Sequence, residues 1–168
     1  IYYKTSNGNK KHNSVLLPAI DSLLSESGLQ INDVQNIACV VGPGSFTGIR
    51  LGVTTCNGLA FACGSNRIAI NTFEPVAYNN TNDILVALDC RHGNYYVGQY
   101  KAGKEISLFN ATEQDLASYN CEIIKWNGER EINKIVDCVL DKINNNEFCE
   151  MLSPLYLKKS QAEREAEC

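Results

Sequence analysis

The chain has 168 residues, of which 44% are hydrophobic and 20% charged, a length and composition that permit a buried core and exclude a disordered or collagen-like chain. Fifteen Lys and Arg stand against 19 Asp and Glu, a formal charge of -4, so no general electrostatic grip on nucleic-acid phosphates or an anionic membrane is expected. Apolar stretches are broken by Pro, Asn or Gly well short of the roughly 20 residues of a membrane helix. The eight Cys form no C-x-x-C pair and lie mostly in apolar runs, as reduced, packed thiols in a cytosolic protein do.

The first five residues, Ile1-Tyr2-Tyr3-Lys4-Thr5, alternate like a strand already under way, so the chain is expected to begin within a domain. Apolar periodicity predicts a helix over 13–27, stopped by Gly28. A short apolar run over 37–41 reads as a strand buried on both faces. It enters the turn Gly42-Pro43-Gly44 and a second helix over 46–63, closed by Gly64. A strand over 67–70 and a short helix over 72–78, capped by Asn71 or Thr72, follow. The polar stretch 79–83 marks a boundary between a first lobe, residues 1–79, and a second, residues 80–168. Beyond it, strands over 84–88 and 95–100 form a hairpin around 89–94, with a third over 106–109. A helix over 112–118, a strand over 122–126, an amphipathic helix over 132–143 and a charged tail from Lys158 complete the chain. Strands alternating with helices define the α/β class.

Gly42-Pro43-Gly44-Ser45-Phe46-Thr47-Gly48-Ile49-Arg50 sits between strand and helix, where phosphate-binding loops also sit. It reads G-x-G-x-x-x-G rather than the dinucleotide G-x-G-x-x-G, and it lacks the Gly-Lys-Ser/Thr ending of a P-loop. What remains is a tight turn with Ser45 as helix cap. Gly44, Ser45, Phe46 and Thr47 offer either an anion-binding helix start or a turn without a ligand. Along the helix that follows, Gly48, Gly52, Cys56, Ala60 and Gly64 form one ridge, and glycines within a helix cost about 1 kcal/mol each relative to Ala. Close approach of another backbone would offset that cost. The first helix is apolar over more than one stripe, through Val15, Leu16, Leu17, Ile20, Leu23 and Leu24. These surfaces meet a partner, or both helices pack within a single core.

The segment 42–50, continuing through Leu51-Gly52-Val53-Thr54-Thr55 and Gly58-Leu59-Ala60, resembles the signature of the TsaB family, also called YeaZ, bacterial partners in making N6-threonylcarbamoyladenosine in tRNA. His12-Asn13-Ser14 with Leu16-Leu17-Pro18 resembles the family's His-Ser/Thr and Leu-Leu-Pro helix start. Asp89-Cys90-Arg91 with Tyr95-Tyr96 resembles its Asp-Ala-Arg hairpin, and Pro154-Leu155-Tyr156-Leu157-Lys158 resembles its C-terminal Pro-x-Tyr-Leu-Arg. Family members begin with two further strands, roughly 20–30 residues at ordinary strand lengths, and His12 is followed here by Asn13 rather than by Ser or Thr.

The resemblance implies two ribonuclease H-like lobes of the actin-like ATPase superfamily, the first lacking its N-terminal strands. It implies a non-catalytic, cytoplasmic scaffold that binds a TsaD-like transferase and, through it, a TsaE-like ATPase. ATP and metal would belong to those partners, tRNA would be held mainly by them, and without them the scaffold would form a homodimer. The expected interface comprises His12, Leu16, Ile20, Leu23, Leu24, Gly48, Gly52, Cys56 and Ala60.

The catalytic repertoire of the residues agrees with such a role. His12 and His92 are the two histidines, with no H-x-x-x-H spacing for a metal, and Ser45 has no G-x-S-x-G elbow around it. Asp89 and Arg91 suggest an ion pair or an Asp turn. The alternative from another class is a stand-alone glycoprotease-like peptidase or ATP hydrolase.

Overall fold

The computed structural model describes residues 2–4, 15–128 and 131–157. In chain order these form α1 (Leu16–Ser27), β1 (Asn36–Gly42), α2 (Phe46–Cys63), β2 (Asn66–Asn71), α3 (Glu74–Ala77), β3 (Asp83–Asp89), β4 (Asn94–Lys101), β5 (Lys104–Thr112), α4 (Glu113–Ala117), β6 (Glu122–Trp126) and α5 (Ile132–Asn144). A single 3-10 turn, Ile31–Asp33, precedes β1. The punctuation expected from sequence is in place. Gly28 and Gly64 close α1 and α2 in the left-handed region, at φ 70° and 69°, where a Cβ is penalised. Asn71 caps α3 from three residues upstream of Glu74, its Oδ1 accepting from the N–H groups of Phe73 and Glu74. Thr112 and Asp115 form a reciprocal capping box at α4.

Two sheets result. β1 and β2 pair in parallel, from Asn36 opposite Asn66 to Val40 opposite Ile70. The second sheet has the order β5-β4-β3-β6, with two antiparallel pairs and β6 parallel to β3. Strand alternation sorts the core into layers. On one face of the first sheet Cys39 and Val41 pack with Ile49 and Val53 of α2 and with Leu152. On the other, Ile68 and Ile70 pack with Cys138, Val139 and Ile143 of α5. In the second sheet Ile84, Val86 and Tyr100 meet Phe73 and Ala77, while Leu85, Ala87 and Val97 are covered by Leu116 of α4.

Two expectations need revision. Residues 2–4 are not a strand; among the described residues β1 pairs only with β2, and Lys4 instead bonds Glu26 at the end of α1. The remainder of that expected strand and residues 13 and 14 of the expected helix lie outside the described residues. The boundary at 79/80 falls between the sheets, but α5 and the segment through Leu155 pack back on the first sheet, while Leu157 joins the core of the second. α5 supplies the apolar face that covers β2, and the segment after it is drawn in by Cys149 N–H to Arg67 O (2.9 Å), by both backbone groups of Leu152 on the Asn57 side chain (2.9 and 3.0 Å), and by Leu155 N–H to Val41 O (2.8 Å).

Candidate functional site

The turn that carries the sequence signature is built from both sides. A cis peptide joins Gly42 to Pro43, and Gly42 has φ 119°. A Cβ on Gly42 would come within 2.7 Å of the Leu155 carbonyl oxygen and 2.9 Å of the Ile49 side chain, so glycine is required both by conformation and by space. Thr72 clasps the turn from β2, its hydroxyl donating to Pro43 O at 2.7 Å and its N–H to Gly42 O at 2.8 Å. Ser45 caps α2 by accepting from Gly48 N–H at 3.4 Å. Phe46 stacks on Tyr156, with ring centroids 5.0 Å apart, Arg50 lies 4.0 Å above the Phe46 ring, and Arg50 Nε donates to the Tyr156 hydroxyl at 2.9 Å. Gly44, Ser45, Phe46 and Thr47 thus form a clamped helix start in which the C-terminal segment is the neighbour and Ser45 Oγ serves as cap.

The glycine ridge faces inward. A Cβ at Gly52 would stand 3.5 Å from Cys39 Sγ, Cys56 packs on the cluster around Cys39, and Ala60 is 1% exposed. The backbone approach inferred for Gly52, Cys56 and Ala60 is therefore to a strand of the same chain, not to a partner helix, because α2 must lie close on β1 to bury Val41 and Ile49. Gly48 meets only its own cap, Ser45. Helical geometry turns the opposite stripe outward: Thr47, Thr54, Gly58 and Phe61 are exposed, Phe61 by 84%. Sequence reasoning missed this stripe, although a lone Phe on the face opposite the small residues was its signal.

On α1 no residue is buried. Leu16, Ile20, Leu23 and Leu24 are half-buried, and Leu17 is 54% exposed. A helix this apolar ordinarily hides its stripe. His12 lies outside the described residues.

The remaining candidates are structural. Arg91 N–H donates to Asp89 Oδ1 at 2.6 Å, an Asp turn, and His92 is exposed in the same β3–β4 loop. Between the sheets, Asn71 donates to Tyr100 Oη (3.0 Å) and to Glu105, and Glu74 pairs with Lys142 at 3.1 Å. Tyr100, Glu105, Glu74 and Lys142 border an open cleft of about 610 Å³. Burial, and then the charge of Glu74, raises the Glu105 carboxyl above its ordinary value. Tyr78 donates to Asp141, which pushes its phenol up to about 12. Among the described residues no group of three or more His, Cys, Asp and Glu is placed to hold a metal, and no helix is long and apolar enough to cross a membrane.

Comparison with known proteins gives this geometry a context. The model of the family described as TsaD, tRNA N6-adenosine threonylcarbamoyltransferase, matches residues 6–108, more than half of the chain. The tRNA threonylcarbamoyladenosine biosynthesis protein TsaB of Bacillus subtilis is 36% identical over 122 residues, covering 70% of this chain and 50% of that protein. TsaB of Escherichia coli is 32% identical over 97 residues, 55% of this chain and 42% of that protein. The chain thus spans about half the length of the curated relatives it matches. YeaZ from Pseudomonas aeruginosa has the same fold, with a TM-score of 0.72 at 21% identity over 88% of this chain and 86% of that one. The chain belongs to the family that the TsaD model describes, on its TsaB (YeaZ) branch.

Proposed function

We propose that this chain is a non-catalytic subunit in the formation of N6-threonylcarbamoyladenosine in tRNA. It binds a TsaD-type transferase, and through it a TsaE-type ATPase, and orders the active transferase. ATP, metal and most of the tRNA contact belong to those partners, and the complex works in the cytoplasm. The two sheets with their helices are read as ribonuclease H-like lobes, an arrangement that the fold shared with YeaZ supports.

The observation that carries the reading is α1, a helix with five Leu and Ile side chains and not one buried residue. Beside it as a candidate surface stands the outward stripe of α2, ending in Phe61. Apolar surface left open on a monomer marks an association site, and in the partner's absence the same surface would pair two copies of this chain.

Substitution tests the assignment directly. Leu17→Asp and Phe61→Asp replace exposed side chains, so the melting temperature should stay close to that of the unchanged chain. Binding to a TsaD-type transferase should weaken at least about tenfold, the equivalent of 1.4 kcal/mol. Full-strength binding by both variants would exclude these faces. Peptide or ATP turnover by the pure chain would favour the stand-alone hydrolase instead.

A further inference from the structure

We propose that Cys39 and Cys56 are a redox couple in which Cys56 is the attacking thiol and Cys39 the resolving one, so that a small-molecule disulfide converts the pair into a bridge between β1 and α2. The two side chains come from adjacent layers. Cys39 belongs to the core cluster under α2 and is 9% exposed, and Cys56 packs against that same cluster from the helix. Gly52, one turn before Cys56, has no side chain to separate them: a Cβ there would touch Cys39 Sγ at 3.5 Å. The glycine ridge thus brings the sulfur of Cys39 up to the helix where Cys56 is half-buried.

The thiols differ in the way such a couple needs. The Cys39 side chain hydrogen-bonds the Cys56 sulfur, which favours the Cys56 thiolate against the opposing effect of burial, and the thiolate is the nucleophile. Cys56 is half-buried and Cys39 is buried. Cys138 shows the opposite setting, where burial pushes the thiol up to about 11. None of the seven described cysteines is in a disulfide, so the pair is drawn in its reduced state.

The chemistry balances without a further reactant. The Cys56 thiolate attacks one sulfur of a glutathione-type disulfide, whose S–S bond breaks, and the leaving thiolate takes up the proton that Cys56 lost. The Cys39 thiol then gives up its proton and attacks the Cys56 sulfur of the mixed disulfide, releasing the second small thiol. Two protein thiols are oxidised and one small disulfide is reduced to two thiols. Bridges formed in a reducing compartment are characteristically transient or regulatory.

The reduced chain should be treated with oxidised glutathione, quenched with acid, alkylated and mapped by mass spectrometry under non-reducing conditions. The mixed disulfide is expected first on Cys56, several-fold faster than on Cys63 or Cys121, followed by a bridge linking the peptides of Cys39 and Cys56. Cys39→Ser retains a hydrogen-bond donor but not the resolving sulfur, so glutathione should remain trapped on Cys56. Cys39→Ala loses both and should also slow the first step. Melting curves of both variants show whether they fold, and the unchanged chain decides the matter if they do not. Equal reactivity of Cys56 and Cys63, a first bridge between other cysteines, or a mixed disulfide on Cys56 that never resolves would each overturn the proposal.

Discussion

The four-stranded sheet takes all its strands and α4 from residues 83–126, whereas the β1–β2 pair is covered on one face by α2 and on the other by α5, with Leu152 and Leu155 arriving from the far end of the sequence. One sheet closes by hairpins and a neighbouring parallel strand, the other by contacts about 100 residues apart. The loop-closure entropy of such distant contacts must be met before they stabilise anything. The sheet that carries the signature turn and the outward face of α2 is therefore the one held by the most distant parts of the chain.

Breaking the junction should have the largest effect. Phe73 is fully buried and leads from β2 into the core of the second sheet, so Phe73→Ala should cost about 3–5 kcal/mol, with one cooperative denaturant transition if the sheets unfold together. Two separate transitions would show that they do not. A narrower cut is Asn57→Ala, which removes both side-chain bonds to the Leu152 backbone. About 1–3 kcal/mol is expected, with hydrogen-exchange protection lost around 149–157 and β1 before it is lost in β3 and β4.

The smallest expected change sharpens the comparison where the sheets meet. Glu105 faces Asn71, Glu74 and Lys142, and its raised carboxyl favours the protonated form in the folded state. Such a group contributes stability below the ordinary value of 4.5 and loses it as pH rises through the higher folded value. Glu105→Gln can still accept from Asn71, so its melting temperature should rise relative to the unchanged chain as pH increases from 4.5 and then level off. A constant difference across that range would show that Glu105 is indifferent to burial.

The sequence makes the local elements plain and the long-range ones obscure. Gly28, Ser45, Gly64 and Thr112 act through their own backbone conformation or through neighbours within four residues, so their caps can be read directly. The β3–β4 hairpin is likewise legible because its strands are separated only by a short loop. That β6 lies beside β3, or that α5 covers β2, depends on packing choices no local pattern encodes. The candidate surface shows the same division. An excess of apolar residues on α1 is visible in the sequence, but four-residue spacing alone cannot say whether Gly52, Cys56 and Ala60 look towards a strand or a partner. Cys39 settles the direction, and nothing near it in sequence points to α2.

The clasp between Leu155 and the β1 turn has a consequence for the order in which the protein is made. Synthesis runs from the N-terminus at about 5–20 residues per second, so β1 and β2 leave the ribosome early. The cover of their other face does not. A nascent chain that has just exposed residue 128 already carries every strand of the second sheet, while the first still lacks α5, the Leu152 plug and the backbone bond from Leu155 to Val41. Of the two sheets, the one translated first is completed last.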